Sequence, residues 1–205
     1  SEILMSDDEM PAAEKRRFSS IIHDETIRLT RLLDDLLDLS VLENGQVTLN
    51  WQDGTLKEVL DRAVAAAGEA GGERSIAIRR DPEAERVPLV TDADRLAQVF
   101  INLITNARKY CDAAAPRLDI AVRRRGDWVT VDFVDNGTGI PAESQSMIFE
   151  KFSRLSDQAR AGGAGLGLAI CREIMAKLGG SVAYLPGQGG AAFRVTLPLA
   201  RKAAA

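Results

Sequence analysis

Thr91-Asp92-Ala93-Asp94-Arg95-Leu96-Ala97-Gln98-Val99-Phe100-Ile101-Asn102-Leu103-Ile104-Thr105-Asn106-Ala107-Arg108-Lys109-Tyr110-Cys111 is the stretch on which the reading of this chain turns. It holds neither glycine nor proline, and Thr91 and Asp92 are side chains suited to capping a helix start, so the spacing predicts a helix over 92–111. On a wheel of about 100° per residue, Leu96, Val99, Phe100, Leu103 and Ala107 form an apolar sector, and Gln98, Asn102, Asn106 and Lys109 fall within about 80° beside it. Asparagine is a mediocre helix former because its amide competes for backbone hydrogen bonds. Two asparagines at i, i+4 in a helix interior therefore either face water or are kept for their amides, whose oxygens a hard cation accepts.

Working outward toward the C-terminus, Leu118–Val122 and Val129–Val134 alternate as a hairpin about Gly126-Asp127. The loop Asp135-Asn136-Gly137-Thr138-Gly139-Ile140-Pro141 follows directly. A carboxylate at a strand end can accept a hydrogen bond from an exocyclic amine, and the glycines admit a flat ring or positive φ. Taken alone, the same residues make an ordinary turn. A short helix is expected near 142–151. Gly162-Gly163-Ala164-Gly165-Leu166-Gly167-Leu168-Ala169-Ile170 is glycine-rich at its start and helical at its end, and exposed amides at a helix N-terminus suit an anion. It is not a dinucleotide fingerprint, because the polar stretch before it is no strand, and no Gly-Lys-Ser/Thr follows to make it a P-loop. The helix falls within Gly163–Leu178, and strands near 181–186 and 192–197 close the chain.

Upstream, Pro11 to about Glu43 lacks glycine, and Phe18, Ile22, Glu25, Leu29, Leu32, Leu36 and Leu39 follow a heptad alternation. Ile21, Leu33 and Leu37 widen that stripe, as a helix of a four-helix bundle requires. Asn44-Gly45 ends it with residues that tolerate a left-handed cap. Val47-Thr48-Leu49-Asn50-Trp51 alternates like a strand, Leu56–Ala70 reads as a helix and Ser75–Arg80 alternates again. Both element types are mixed without strict alternation, so the fold class is α+β, a helix layer on a mixed sheet, rather than a doubly wound parallel sheet.

The chain of 205 residues carries 26 basic and 30 acidic residues, a net charge of −4, without a basic stripe beyond Arg123-Arg124-Arg125. That balance argues against nucleic acid as a partner, and the triple arginine reads as a solvated hairpin end. Cys111 and Cys171 show no C-x-x-C spacing and His23 is the only histidine, so a zinc cluster cannot be assembled and any metal must be oxygen-bound. No apolar run approaches the ~18–20 residues that cross a bilayer. The expectation is a cytoplasmic chain whose cysteines are reduced packing residues.

Asn102 to Tyr110 resembles the N box of sensor histidine kinases, and Asp135 to Pro141 resembles their first glycine box. Ile148-Phe149-Glu150-Lys151-Phe152 is similar to the F box and Gly163-Ala164-Gly165-Leu166-Gly167-Leu168 to the second glycine box, in the family's order and spacing. Arg28-Leu29 through Asp35-Leu36-Leu37-Asp38-Leu39-Ser40 resembles the second helix of the family's dimerisation and phosphotransfer domain. The resemblance implies a two-layer α/β sandwich of the Bergerat ATP-binding type, helices on one face, preceded by a long bundle helix. It divides the chain into residues 1–45, a partial bundle, and 46–205, a catalytic domain. ATP and Mg2+ are the implied cofactors. Asn106 would be the principal magnesium ligand with Asn102 nearby, Lys109 would reach a phosphate, Tyr110 would stack near adenine and Asp135 would receive its amino group. Gly137, Gly139, Ile140, Phe152, Gly163, Gly165, Leu166, Gly167 and Leu168 complete the implied ATP site, with Arg154 a weaker phosphate contact. Ser153 to Gly162 corresponds to the ATP lid and is expected to be mobile without nucleotide. Ala164 stands where the family often has serine or threonine, so a hydroxyl contact is missing there.

The family's acceptor histidine is followed by Glu and soon by a threonine and proline. His23 is followed by Asp24-Glu25-Thr26-Ile27, and sits in what resembles the second helix. It is read as a bundle residue. Ser1–Met5 resembles the tail of the first helix and Ser6–Glu14 the turn after it, which places the acceptor upstream of residue 1. The expected function is donation of the ATP γ-phosphoryl group to a histidine outside the chain, for a response-regulator receiver domain, in a parent that dimerises and reaches a membrane only through upstream regions. A pseudokinase scaffold is the alternative. A water-using ATPase of the same superfamily is disfavoured, because those carry glutamate where Asn102 stands.

Overall fold

The computed structural model describes residues 12–45, 47–69, 75–153 and 165–200. Helix α1, Ala12–Glu43, leads into β1 (Gln52–Thr55), α2 (Leu56–Glu69), β2 (Ala77–Arg80) and β3 (Pro88–Thr91). Then come α3 (Ala93–Tyr110), β4 (Arg117–Arg125), β5 (Trp128–Asp135), α4 (Gly167–Lys177), β6 (Ser181–Tyr184) and β7 (Ala192–Pro198). The main sheet has the order β2-β4-β5-β7-β6. Its β2–β4 pair is parallel and its other pairs are antiparallel, so the sheet is mixed as the sequence predicts.

Alternation along β5 buries Val129, Val131 and Phe133 completely or nearly so. Phe133 meets Phe100 of α3 with ring centroids 5.3 Å apart, and the apolar sector of α3 fills the layer between helices and sheet. Asp92 is the N-cap of α3. Its Oδ1 accepts the amide hydrogens of Asp94 and Arg95 and its Oδ2 accepts that of Asn50. Thr91, the other capping candidate, instead ends β3.

Three expectations about elements differ from the structure. Residues 47–51 alternate in exposure but form no strand, because Asn50 gives its amide to the Asp92 side chain rather than to a ladder. The strand starts at Gln52 and pairs antiparallel with β3, a strand that local pattern does not announce because Pro88 heads a run of only four residues. Residues 142–151 form successive turns rather than a helix. Ser144, Met147 and Glu150 donate to the carbonyls of Pro141, Ser144 and Met147 respectively, an i→i−3 pattern in which the α-helical i→i−4 ladder never starts.

The stripe on α1 is unevenly covered. Ile21, Leu29, Leu33 and Leu37 are exposed, whereas Leu39 and Leu42 are buried at the C-terminal end of the helix, which packs against α4. Asp38 fixes that end. Its Oδ1 lies 2.7 Å from Arg95 Nη1, and its Oδ2 accepts from Gln98 Nε2 at 2.7 Å. Glu43 and Lys151 add an ion pair at 2.6 Å. The N-terminal segment read as the tail of a first helix, residues 1–5, and most of the turn after it lie outside the described residues. No helix among the described residues is long and apolar enough to cross a membrane.

Candidate functional site

A cleft opens between α3, the carboxyl end of β5 and the loop after it. Its walls are apolar, from Leu103 and Ala107 on α3, Leu118 and Phe133 on the sheet, and Ile148, Leu168 and Phe193. Its polar groups come from Asn106, Tyr110, Asp135 and Ser153. Helical spacing explains the first two, since Asn106 and Tyr110 sit at i, i+4 on the edge of the face that buries Leu103 and Ala107.

Asp135 ends β5 and is 7% exposed. Its Oδ1 accepts the amide hydrogens of Gly137 at 2.9 Å and Ala191 at 3.0 Å. Burial pushes its carboxyl above the ordinary 3.8, against the two amides, and the nearby Asp112 charge pushes the same way. Gly139 takes φ +81°, and Ile140 donates its amide hydrogen to the Tyr184 hydroxyl oxygen at 3.3 Å. The loop is therefore a held element and not a free turn.

The structure brings Asn106, Tyr110, Asp135, Gly137, Gly139, Ile140 and Leu168 together on the cleft. Other expected site residues stand apart from its lining. Asn102 turns its Nδ2 toward the Gly167 carbonyl oxygen at 3.3 Å and Cys171 Sγ at 3.7 Å, joining α3 to the first residue of α4. Lys109 Nζ lies 4.9 Å from the centroid of the Tyr110 ring. Leu166 is fully buried in the core. Phe152, with φ 61°, is exposed, and Gly165, with φ +71°, lies so near Phe152 and Ser153 that a Cβ would sit 2.7 Å from the Ser153 carbonyl oxygen. Arg154 and Gly163, and the lid segment beyond Ser153, lie outside the described residues.

Sequence reasoning missed Ile148, Ala191 and Phe193 as parts of this cleft, and Asp112 beside it. A signal existed for Ala191 in the glycine pair before it. A Cβ on Gly190 would overlap the Asp135 carbonyl oxygen, so only glycine lets residue 191 reach the carboxylate. Among the described residues, no group of three or more His, Cys, Asp or Glu side chains could hold a metal. On α3, the cleft's oxygen donor suited to a hard cation is the Asn106 carboxamide.

Residues 91–201 match the family described as histidine kinase-, DNA gyrase B-, and HSP90-like ATPase. The chain belongs to that family. The curated relatives and solved structures that it resembles are sensor proteins and histidine kinases. The chain is similar to the sensor protein KdpD of Escherichia coli strain K12, 36% identical over 200 residues that cover 97% of the chain and 22% of KdpD. It therefore spans about a fifth of that relative's length. Among solved structures, the Acinetobacter baumannii histidine kinase AdeS is 26% identical with a TM-score of 0.74, covering 96% of this chain and 89% of that one. Full-length ShkA in complex with AMPPNP is 27% identical with a TM-score of 0.71, covering 98% of this chain and 42% of that one. The ATPase family and the Bergerat-type sandwich agree with the expectation from the motifs, and these relatives lend the pseudokinase alternative no support.

Proposed function

We propose that this chain is the ATP-binding catalytic part of a cytoplasmic sensor histidine kinase, which holds Mg·ATP in the cleft and gives up the γ-phosphoryl group to a histidine on another segment or chain. The observation that carries the reading is the Asp135 carboxylate. It is buried at the cleft, with Oδ1 taken by two backbone amides, and suited to accept an exocyclic amine through its other oxygen. In this reading Asn106, Tyr110, Asp135, Gly137, Gly139, Ile140 and Leu168 bind nucleotide directly. Lys109 and Arg154 would contact phosphates. Asn102, Leu166 and Gly167 shape the start of α4 behind the phosphates.

The Asn106 carboxamide fits a magnesium ion that arrives with its phosphates, because such an ion keeps water and phosphate oxygens and asks the protein for few ligands. Bound there, the ion would neutralise triphosphate charge. In the transfer the bond from γ-phosphorus to the β,γ-bridging oxygen breaks, ADP keeps that electron pair, a phosphorus–nitrogen bond forms and the imidazole gives up its proton. Asn102 cannot act as a base toward water, which favours transfer over hydrolysis. Residues 1–45 would belong to a helical bundle that pairs two copies, and 46–205 to the catalytic domain. A receiver domain of a response regulator would take the phosphoryl group from the histidine. Calorimetric titration tests the core of the reading. ATP should bind with magnesium and bind poorly in excess chelator, and Asn106→Ala should weaken Mg·ATP binding. Equal affinity in the variant would remove Asn106 from the metal.

A further inference from the structure

We infer that Asp112, the residue after the C-cap of α3, is a positioning residue that fixes the Asp135–Gly139 loop so that Asp135 can receive an adenine amine. The inference rests on the adenine reading of the cleft given above. Asp112 grips one loop residue twice. Its Oδ1 accepts the Thr138 amide hydrogen at 2.8 Å and its Oδ2 accepts the Thr138 hydroxyl hydrogen at 2.9 Å. Such paired bonds to an ionised group restrict both translation and rotation of the loop.

Gly137 lies between this grip and the site. A Cβ there would stand 2.8 Å from Asp112 Oδ1 and 3.2 Å from Asp135 Oδ1, so the two carboxylates flank one glycine and the chain between them has little room to shift. Neighbouring bonds brace the same junction. Cys111 Sγ donates to Asn136 Oδ1 at 3.4 Å, and Asn136 bonds to Arg117 and Ala115. Asp112 therefore connects the end of the helix that bears Asn106 to the loop that orients Asp135. The like charge of Asp112 works against an ionised Asp135, so the role of Asp112 is geometric rather than electrostatic.

The test compares Mg·ATP with Mg·purine riboside triphosphate, which lacks the exocyclic amine, on the whole chain. Wild type should prefer ATP by about tenfold, the worth of one hydrogen bond to a carboxylate. Asp112→Ala should shrink that ratio about threefold or more while sparing affinity for the analogue. Asp112→Asn should restore it, because its amide oxygen can take the Thr138 N–H and its NH2 can donate to the Thr138 hydroxyl oxygen. A wild-type ratio in Asp112→Ala overturns the inference alone, and so does an equal loss for both nucleotides. Failure of Asp112→Asn to restore the ratio would also sink it, by assigning the effect to charge. Should Asp112→Ala fail to fold, Thr138→Val decides: a reduced ratio upholds the role and an unchanged ratio overturns it. Absence of any ATP preference in wild type would instead overturn the adenine reading itself, and this inference with it.

Discussion

Asp135 and Ala191 exchange two hydrogen bonds: the Asp135 amide donates to the Ala191 carbonyl oxygen, and the Ala191 amide donates to Asp135 Oδ1, each at 3.0 Å. The acceptor carboxylate is thus built into the seam between β5 and β7, and its buried position sets its protonation as well as its aim.

Asp135→Asn should separate folding from binding. Burial raises the Asp135 carboxyl above 3.8, so the folded state favours its protonated form. That contribution is complete below the ordinary value and is lost as pH rises through the raised one. The asparagine variant stays neutral throughout. Without ligand it should melt higher than wild type at pH 7, and the advantage should vanish in acid. Its ATP affinity should fall by about 1–3 kcal/mol, the range for an unsatisfied buried partner. A variant that binds ATP as tightly as wild type would remove Asp135 from the adenine site. Wild-type affinity itself should decline in acid earlier than an ordinary aspartate would allow.

Gly190→Ala should damage the same seam. The added methyl meets the Asp135 carbonyl oxygen, which is backbone and cannot swing away. The chain should lose about 1–3 kcal/mol of stability, the usual cost of overpacking, and ATP affinity should fall with it. Equilibrium titration and a melt are the checks, and wild-type values in both would show that the seam can open without consequence.

The docking of α1 rests on Leu42 more than on its ion pairs. Leu42 is fully buried, and Leu42→Ala should destabilise the chain by about 2–5 kcal/mol in urea unfolding. Asp38→Ala removes a part-buried pair with Arg95 and a hydrogen bond from Gln98 and should cost less, about 1–2 kcal/mol. A reversed order would mean that polar contacts hold the helix in place.

His23 should not accept phosphate. It is exposed on α1, in a context unlike the acceptor motif, and incubation with labelled ATP should leave no acid-labile label on the chain. Label on wild type that disappears in His23→Ala would make His23 the acceptor.

Much of the site was legible because its chemistry is local in sequence. Helix periodicity singles out Asn106 and position at a strand end singles out Asp135 with its glycines, and the family resemblance lifts both above their blander readings and adds Tyr110. The turns at 142–151 were misread because helix and turn share an apolar spacing, and only the packing of Ile148 and the Gln145 bond to the Ile140 carbonyl oxygen select between them. Asn102 looked equivalent to Asn106 on the wheel. The approach of α4 gives its amide a backbone carbonyl instead, and no local pattern reports which helix will lie alongside.

Periodicity and glycine placement by themselves determined the α+β class, the long N-terminal helix and the hairpin about Gly126, because each depends on neighbours a few positions away, and the ATPase family was legible through the resemblance of four short boxes to a known family. Tertiary structure alone decided that Ala191 and Phe193 join the cleft, that Asp112 grips Thr138 and that only the C-terminal end of α1 is covered. Those contacts join residues 26 to 60 positions apart, as Thr138 to Asp112, Ala191 to Asp135 and Gln98 to Asp38 show. Such pairs meet only after the sheet order and helix packing have been set, so no short window of sequence contains both partners.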